Sequence, residues 1–169
     1  MPNGGSGVRA ADLHWRCDME YLIELQHEVE TDGIDAHALE RMAAHALHVE
    51  GVKTPAELSV LLADDTAVRD LNRQYRHTDA PTDVLSFSQA EGEEFALPDG
   101  ETPHLGDVVI SLETARRQAV EYGVALQDEL AHLVVHGILH LLGYDHEDAD
   151  EEAVMRAHED AVLGGAHHH

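Results

Sequence analysis

The sequence predicts an α+β fold, a single domain in which a small mixed four-stranded sheet is packed with about five helices. Three observations lead there. The chain has 169 residues, room for one hydrophobic core and too few for two comfortable ones. Period-two and period-3.6 apolar patterns both occur, in an order that is mixed rather than strictly alternating. No stretch approaches the ~20 apolar residues of a membrane-spanning helix.

Residues 1–18 carry no regular pattern and read as an irregular leader, added or produced by a misassigned start, so the domain is expected over 19–164. Tyr21, Ile23, Leu25, His27 and Val29 alternate with Glu24, Gln26 and Glu28, which is strand periodicity. Asp35 is placed to cap a helix carrying Leu39, Met42, Ala46 and Val49 on one face. Residues 57–63 (Glu-Leu-Ser-Val-Leu-Leu-Ala) read as a second, more buried strand. Residues 66–76 form a helix with Val68, Leu71 and Tyr75 directed inward. Strands are expected over 83–87 and 105–110, with an acidic, Gly- and Pro-containing loop or loose hairpin at 91–103 between them. Ser111 caps a helix that stops at Gly123. A strongly apolar helix covers about 128–142 and ends at Gly143, and an amphipathic helix covers about 149–163. Residues 165–169 read as a tag remnant, because His167, His168 and His169 follow Gly-Gly-Ala.

The net charge is -24, from 34 acidic and 10 basic residues. Such a surface repels nucleic acid at long range and excludes a generic DNA or RNA coat, though not a local basic site. Cys17 is the only cysteine, so an internal disulfide is impossible. With no signal-peptide pattern, a cytoplasmic protein is expected, with neither membrane nor DNA as partner.

The informative stretch is His136-Gly-Ile-Leu-His140-Leu-Leu-Gly143-Tyr-Asp-His146. Positions i and i+4 of a helix share a face, so His136 and His140 can direct imidazole nitrogens to one ion. Gly143 suits the left-handed residue that closes such a helix, and the reversed chain returns His146 as a third ligand. Three protein ligands leave one coordination position open, the catalytic rather than the structural pattern for zinc. All-imidazole ligation favours zinc, one ion, with another first-row divalent metal as the alternative. His132 stands too far along the helix to join them and is expected in a supporting role. Glu129 and Asp145 are carboxylates that could orient imidazoles or water. The spacing matches that of the metzincin peptidases, but Gly137 occupies the position of their general base, which makes a peptidase the second choice among enzymes.

Arg69, Arg73 and Arg76 stand at i, i+4 and i+7 on one helix, three of the ten basic residues. The planar guanidinium fork suits phosphate, so the stripe is the best candidate for an anionic ligand.

Four segments then carry a resemblance: Leu71-Asn-Arg-Gln-Tyr-Arg76, Asp79 with Pro81-Thr-Asp-Val-Leu-Ser-Phe87, Leu105-Gly-Asp-Val-Val-Ile-Ser111, and the histidine segment 136–146. In this order they resemble the YbeY family of endoribonucleases, also called ribosomal RNA maturation factors. The resemblance implies a zinc-dependent, single-strand-specific endoribonuclease, acting in 3′-end maturation of small-subunit (16S) ribosomal RNA and in ribosome quality control. It implies zinc on His136, His140 and His146 and a role for Arg76 in activity. Single-stranded ribosomal RNA, and the small subunit or its basic proteins, are the implied partners. Departures are His77-Thr78 ahead of Asp79 and Ser88 after Phe87. A zinc-stabilised ribosome-assembly docking module with little catalysis stands as the alternative of another class.

Overall fold

The computed structural model of the chain describes residues 21–76, 82–88, 102–144 and 148–164. The expected leader at 1–18, most of the 91–103 segment and the expected tag remnant lie outside the described residues. Four strands, β1 (Tyr21–His27), β2 (Ala56–Ala63), β3 (Val84–Ser88) and β4 (His104–Ser111), form one sheet in the order β1-β2-β4-β3. β2 pairs parallel with both β1 and β4, whereas β3 runs antiparallel to β4. The helices are α1 (Ala36–Val49), α2 (Asp65–Arg76), α3 (Leu112–Tyr122), α4 (Leu126–Leu141) and α5 (Ala149–Leu163). The α+β architecture, the mixed sheet and the five helices match the expectation from periodicity.

Strand β2 buries Ala56, Leu58, Val60 and Leu62 on one face, while Glu57, Ser59 and Leu61 on the other are half-buried. Leu58, Val60 and Leu62 join Val108 and Ile110 in the main core under α1, α4 and α5. On the other face, Ala63 and Val109 pack with Leu85 and with Val68 of α2. The helix boundaries follow local chemistry. Asp35 accepts from the Ala38 N–H, Ser111 from that of Thr114 and Asp148 from that of Glu151. Gly123, at φ 70°, closes α3. Helix α4 begins at Leu126, two residues ahead of the expected start. Its N-cap is Ala125, whose side chain makes no capping bond and so leaves no signal in the sequence.

Two inward-facing assignments need correction. Val49, in the last turn of α1, is 39% exposed, and Tyr75 is 63% exposed. Helix α2 covers the sheet along Val68 and Leu71, and its C-terminal end offers Tyr75 no comparable cover. The ring instead meets Phe87 of β3 edge-to-face, with centroids 5.6 Å apart.

Asp65 ties α2 to α3. Its carboxylate accepts from the Ser111 hydroxyl, from Thr114 Oγ1 at 2.7 Å and from Arg117 Nη2 at 2.9 Å. Partial burial raises its pKa, but the hydrogen bonds from Ser111, Thr114 and Arg117 outweigh it, and the net shift is downward. A lowered folded-state value means stability that is fully present above the ordinary aspartate range and is lost as pH falls through the lowered value. Asp65→Asn is expected to lower Tm at pH 7 by about 2–4 °C, on the order of 1 kcal/mol for a partly exposed group. The gap between variant and wild type should narrow as thermal melts are taken below about pH 4, where the unfolded-state aspartate takes up its proton, and a gap independent of pH would contradict this account.

Candidate metal centre and the arginine helix

Helix α4 is apolar on nearly all sides and buries Leu130, Leu133, Val134, Val135, Ile138 and Leu139. Its histidines are therefore held close to the interior, where imidazole nitrogens need partners. His136 Nε2 and His140 Nε2 converge to 3.2 Å. Two ligands at 2.0–2.1 Å from a tetrahedral ion stand roughly 3.3 Å apart. A single proton or a single cation between these nitrogens satisfies both lone pairs, and the donor set is the one that zinc takes.

The opposite edge of the His136 ring decides which nitrogen faces an ion. His136 Nδ1 lies 2.5 Å from Glu159 Oε2 on α5, and the Glu159 side chain is only 11% exposed. Burial raises the Glu159 pKa, but the hydrogen bond to His136 and the positive charge of His132, His136 and Arg156 reverse that and lower it. A carboxylate on Nδ1 sets the tautomer that leaves Nε2 as a ligand. Spacing drew attention to Glu129 and Asp145 as orienting carboxylates and did not reveal Glu159, which is 23 residues from its partner.

His132 is buried, and its ring stacks on that of His136 with centroids 6.0 Å apart. His132, His136 and Glu159 also offer donor atoms within 4.8 Å of one another, a second grouping able to hold a cation. The convergent Nε2 pair is the better match to a catalytic ion, because Glu159 already engages the other nitrogen of His136. Glu129 lies on the same helix two turns before His136 and is fully buried. Burial, and then the negative charge of Asp83, push its carboxyl up to about 7. Asp145 and His146 lie outside the described residues.

What precedes His146 is visible. Gly143, at φ 107°, donates its N–H to His140 O, and the Tyr144 N–H reaches Leu139 O, each at 3.0 Å. These two bonds form the Schellman closure that a left-handed glycine allows. The Tyr144 hydroxyl then donates to Glu50 at 2.9 Å, and His158 Nδ1 lies 2.7 Å from the same carboxylate. The turn leading toward His146 is thereby held between α1 and α5.

Gly137 faces the sheet. A Cβ built there would stand 2.6 Å from Val108 Cγ1 and 3.0 Å from Val84 Cγ2. The Ser86 hydroxyl donates to Gly137 O at 2.6 Å. The close approach that a mid-helix glycine suggests is thus made by β3 and β4 of the same chain.

Arg69 and Arg73 are exposed on α2, and Arg73 pairs with Asp70 at 3.3 Å. An exposed pair of this kind is worth about 0–1 kcal/mol and does not withdraw the guanidinium from other anions. Arg76 is the last residue of α2, and its side chain lies outside the described atoms.

A family model described as Endoribonuclease YbeY matches residues 24–166. The chain belongs to the YbeY endoribonuclease family. Among YbeY proteins, one from Pelotomaculum thermopropionicum is 52% identical over 140 residues, covering 83% of this chain and 91% of the relative. Another, from Roseiflexus castenholzii, is 46% identical over 149 residues, covering 87% and 94%. A Thermotoga maritima protein solved in solution matches the fold with a TM-score of 0.53 at 24% identity, over 85% of this chain and 91% of that one. Among the described residues of this YbeY chain, no helix is long and apolar enough to cross a membrane.

Two outcomes follow for chain freed of its terminal histidines. Glu159→Gln should fold normally and bind zinc roughly 10–100-fold more weakly in a chelator competition, and wild-type affinity would remove Glu159 from the centre. Gly137→Ala should lose about 1–3 kcal/mol in urea melts, because the new methyl overlaps valine side chains rather than a flexible chain end.

Proposed function

We propose that the chain is a zinc-dependent, single-strand-specific endoribonuclease of small-subunit ribosomal RNA, acting in 3′-end maturation and ribosome quality control. The convergence of His136 and His140 Nε2, backed by Glu159 on Nδ1, carries this reading in a YbeY family member. His136 and His140 would hold one zinc ion with His146 as the third ligand. A bound ion supplies Lewis acidity toward water or a phosphoryl oxygen.

The protein's own groups do the rest. Glu159 accepts the Nδ1 proton of His136 and fixes the plane of that ring. Arg76 neutralises charge on the reacting phosphate, and Arg69 and Arg73 extend the positive stripe along the strand of RNA. Ribosomal RNA and the small subunit, with its basic proteins, are the proposed partners of this acidic chain in the cytoplasm. A peptidase reading is disfavoured by Gly137. The position of the missing base is pressed against Val108 and Val84, where no glutamate side chain fits.

The test compares Arg76→Ala with wild type, both freed of the terminal histidines and loaded with zinc, on single-stranded RNA at one salt concentration. The variant should keep its zinc and lose about 100-fold or more in kcat, as removal of one charge-stabilising contact does. Arg76→Lys should recover only part of this, since an ammonium lacks the bidentate fork. Equal turnover by wild type and Arg76→Ala would overturn the assignment of Arg76, and little or no turnover by zinc-loaded wild type would favour the docking module.

A further inference from the structure

The outer face of the sheet, opposite α4, is only partly covered by α2. Between α2 and β1 a groove of about 480 Å³ remains, within the range of small-molecule sites. Leu61 and Val109 form its apolar floor, Tyr75 and Phe87 stand in its wall, and Asp107 and Gln26 bring polar groups to it. We propose that this groove is a nucleobase subsite, which holds an unpaired base of the RNA strand and prefers guanine. The inference rests on the endoribonuclease reading and adds where a flanking nucleotide binds.

Three observations point to this occupant. The first is the aromatic pair: Tyr75 and Phe87 meet at 71°, and Tyr75 remains 63% exposed. An exposed ring above an apolar floor is the stacking platform that single-stranded RNA recognition uses. The second is the sign of the polar group. A carboxylate repels phosphate and accepts N–H, so Asp107 admits the edge of a base and rejects the backbone. Guanine presents N1–H and N2–H₂ side by side to the two oxygens of one carboxylate. Uracil turns carbonyl oxygens toward it on either side of one N–H. The third is placement. Successive residues of a strand point to opposite faces. Ser86 meets Gly137 beside His136, while Phe87, the next residue, walls the groove. Groove and metal helix thus lie back to back across β3, at the edge of the described sheet. Tyr75 lies in the last turn of α2, so a strand passing that edge can set a base on its ring.

The test uses the full chain with zinc bound, titrated with GMP and UMP and assayed on oligouridine carrying a single guanosine. Wild type should bind GMP about tenfold more tightly than UMP and cut at a fixed offset from the guanosine. Tyr75→Ala should weaken GMP binding and raise KM by about tenfold each, with a smaller change in kcat, and Tyr75→Phe should restore both. Asp107→Asn should bring GMP and UMP to similar affinity while zinc content and fold stay intact. Equal binding of GMP and UMP by wild type, or wild-type KM in Tyr75→Ala, overturns the subsite even if RNA is cleaved. GMP binding that depends on Tyr75, in a wild type that cleaves no RNA, would uphold the subsite and sink the endoribonuclease reading instead.

Discussion

Helix α4 meets the sheet at Gly137, and the absence of a side chain there sets how near the helix can come. Val108, Val84 and Ser86 fill the space that a Cβ would take, and the Ser86 hydroxyl closes the contact by bonding the Gly137 carbonyl. The histidines flank this contact, His136 immediately before it and His140 three residues after. Their distance from the sheet, and the direction in which their rings leave the helix, follow from how closely the backbone lies on β3 and β4. An interior packed like an organic crystal does not let such a helix settle a fraction of an ångström away without moving the rings with it.

Helix α5 supplies the second half of the support. Two adjacent residues do different work on it: Glu159 receives His136, and His158 joins Tyr144 on Glu50. The first contact fixes a ring and the second fixes the turn after α4. Both are charge-assisted contacts at buried or half-buried carboxylates, where geometry counts for more than at the surface. Among the described residues, Glu50, Glu129 and Glu159 turn their carboxylates inward, and their surroundings are imposed by the fold.

Legibility in the sequence divides along contact distance. His136 and His140 were readable because a helix converts a separation of four residues into proximity, and Gly143 because a left-handed closure needs glycine. Strand β2 could be read from its nearly unbroken apolar run, and the caps Asp35 and Ser111 from their local hydrogen-bonding chemistry. Glu159 left no such trace, since its meeting with His136 depends on how α5 crosses α4. Tyr75 shows the opposite failure. Its period placed it with Val68 and Leu71, but periodicity says nothing of where the covering surface ends. Ala125 marks a helix start without a capping side chain, so the boundary of α4 was set by tertiary packing rather than by local sequence.

The 23-residue separation between His136 and Glu159 has a consequence for the chain while it is being made. Synthesis at about 5–20 residues per second makes the histidine pair about a second or more before its carboxylate exists. During that interval neither α5 nor the Glu159 that orients His136 is available, and an imidazole without its carboxylate partner is a weaker ligand. The order of residues along the chain thus delays completion of the proposed centre until α5 has been made and docked. A growing polypeptide, still tethered to the ribosome that builds it, carries an incomplete centre next to the class of RNA it is proposed to cut.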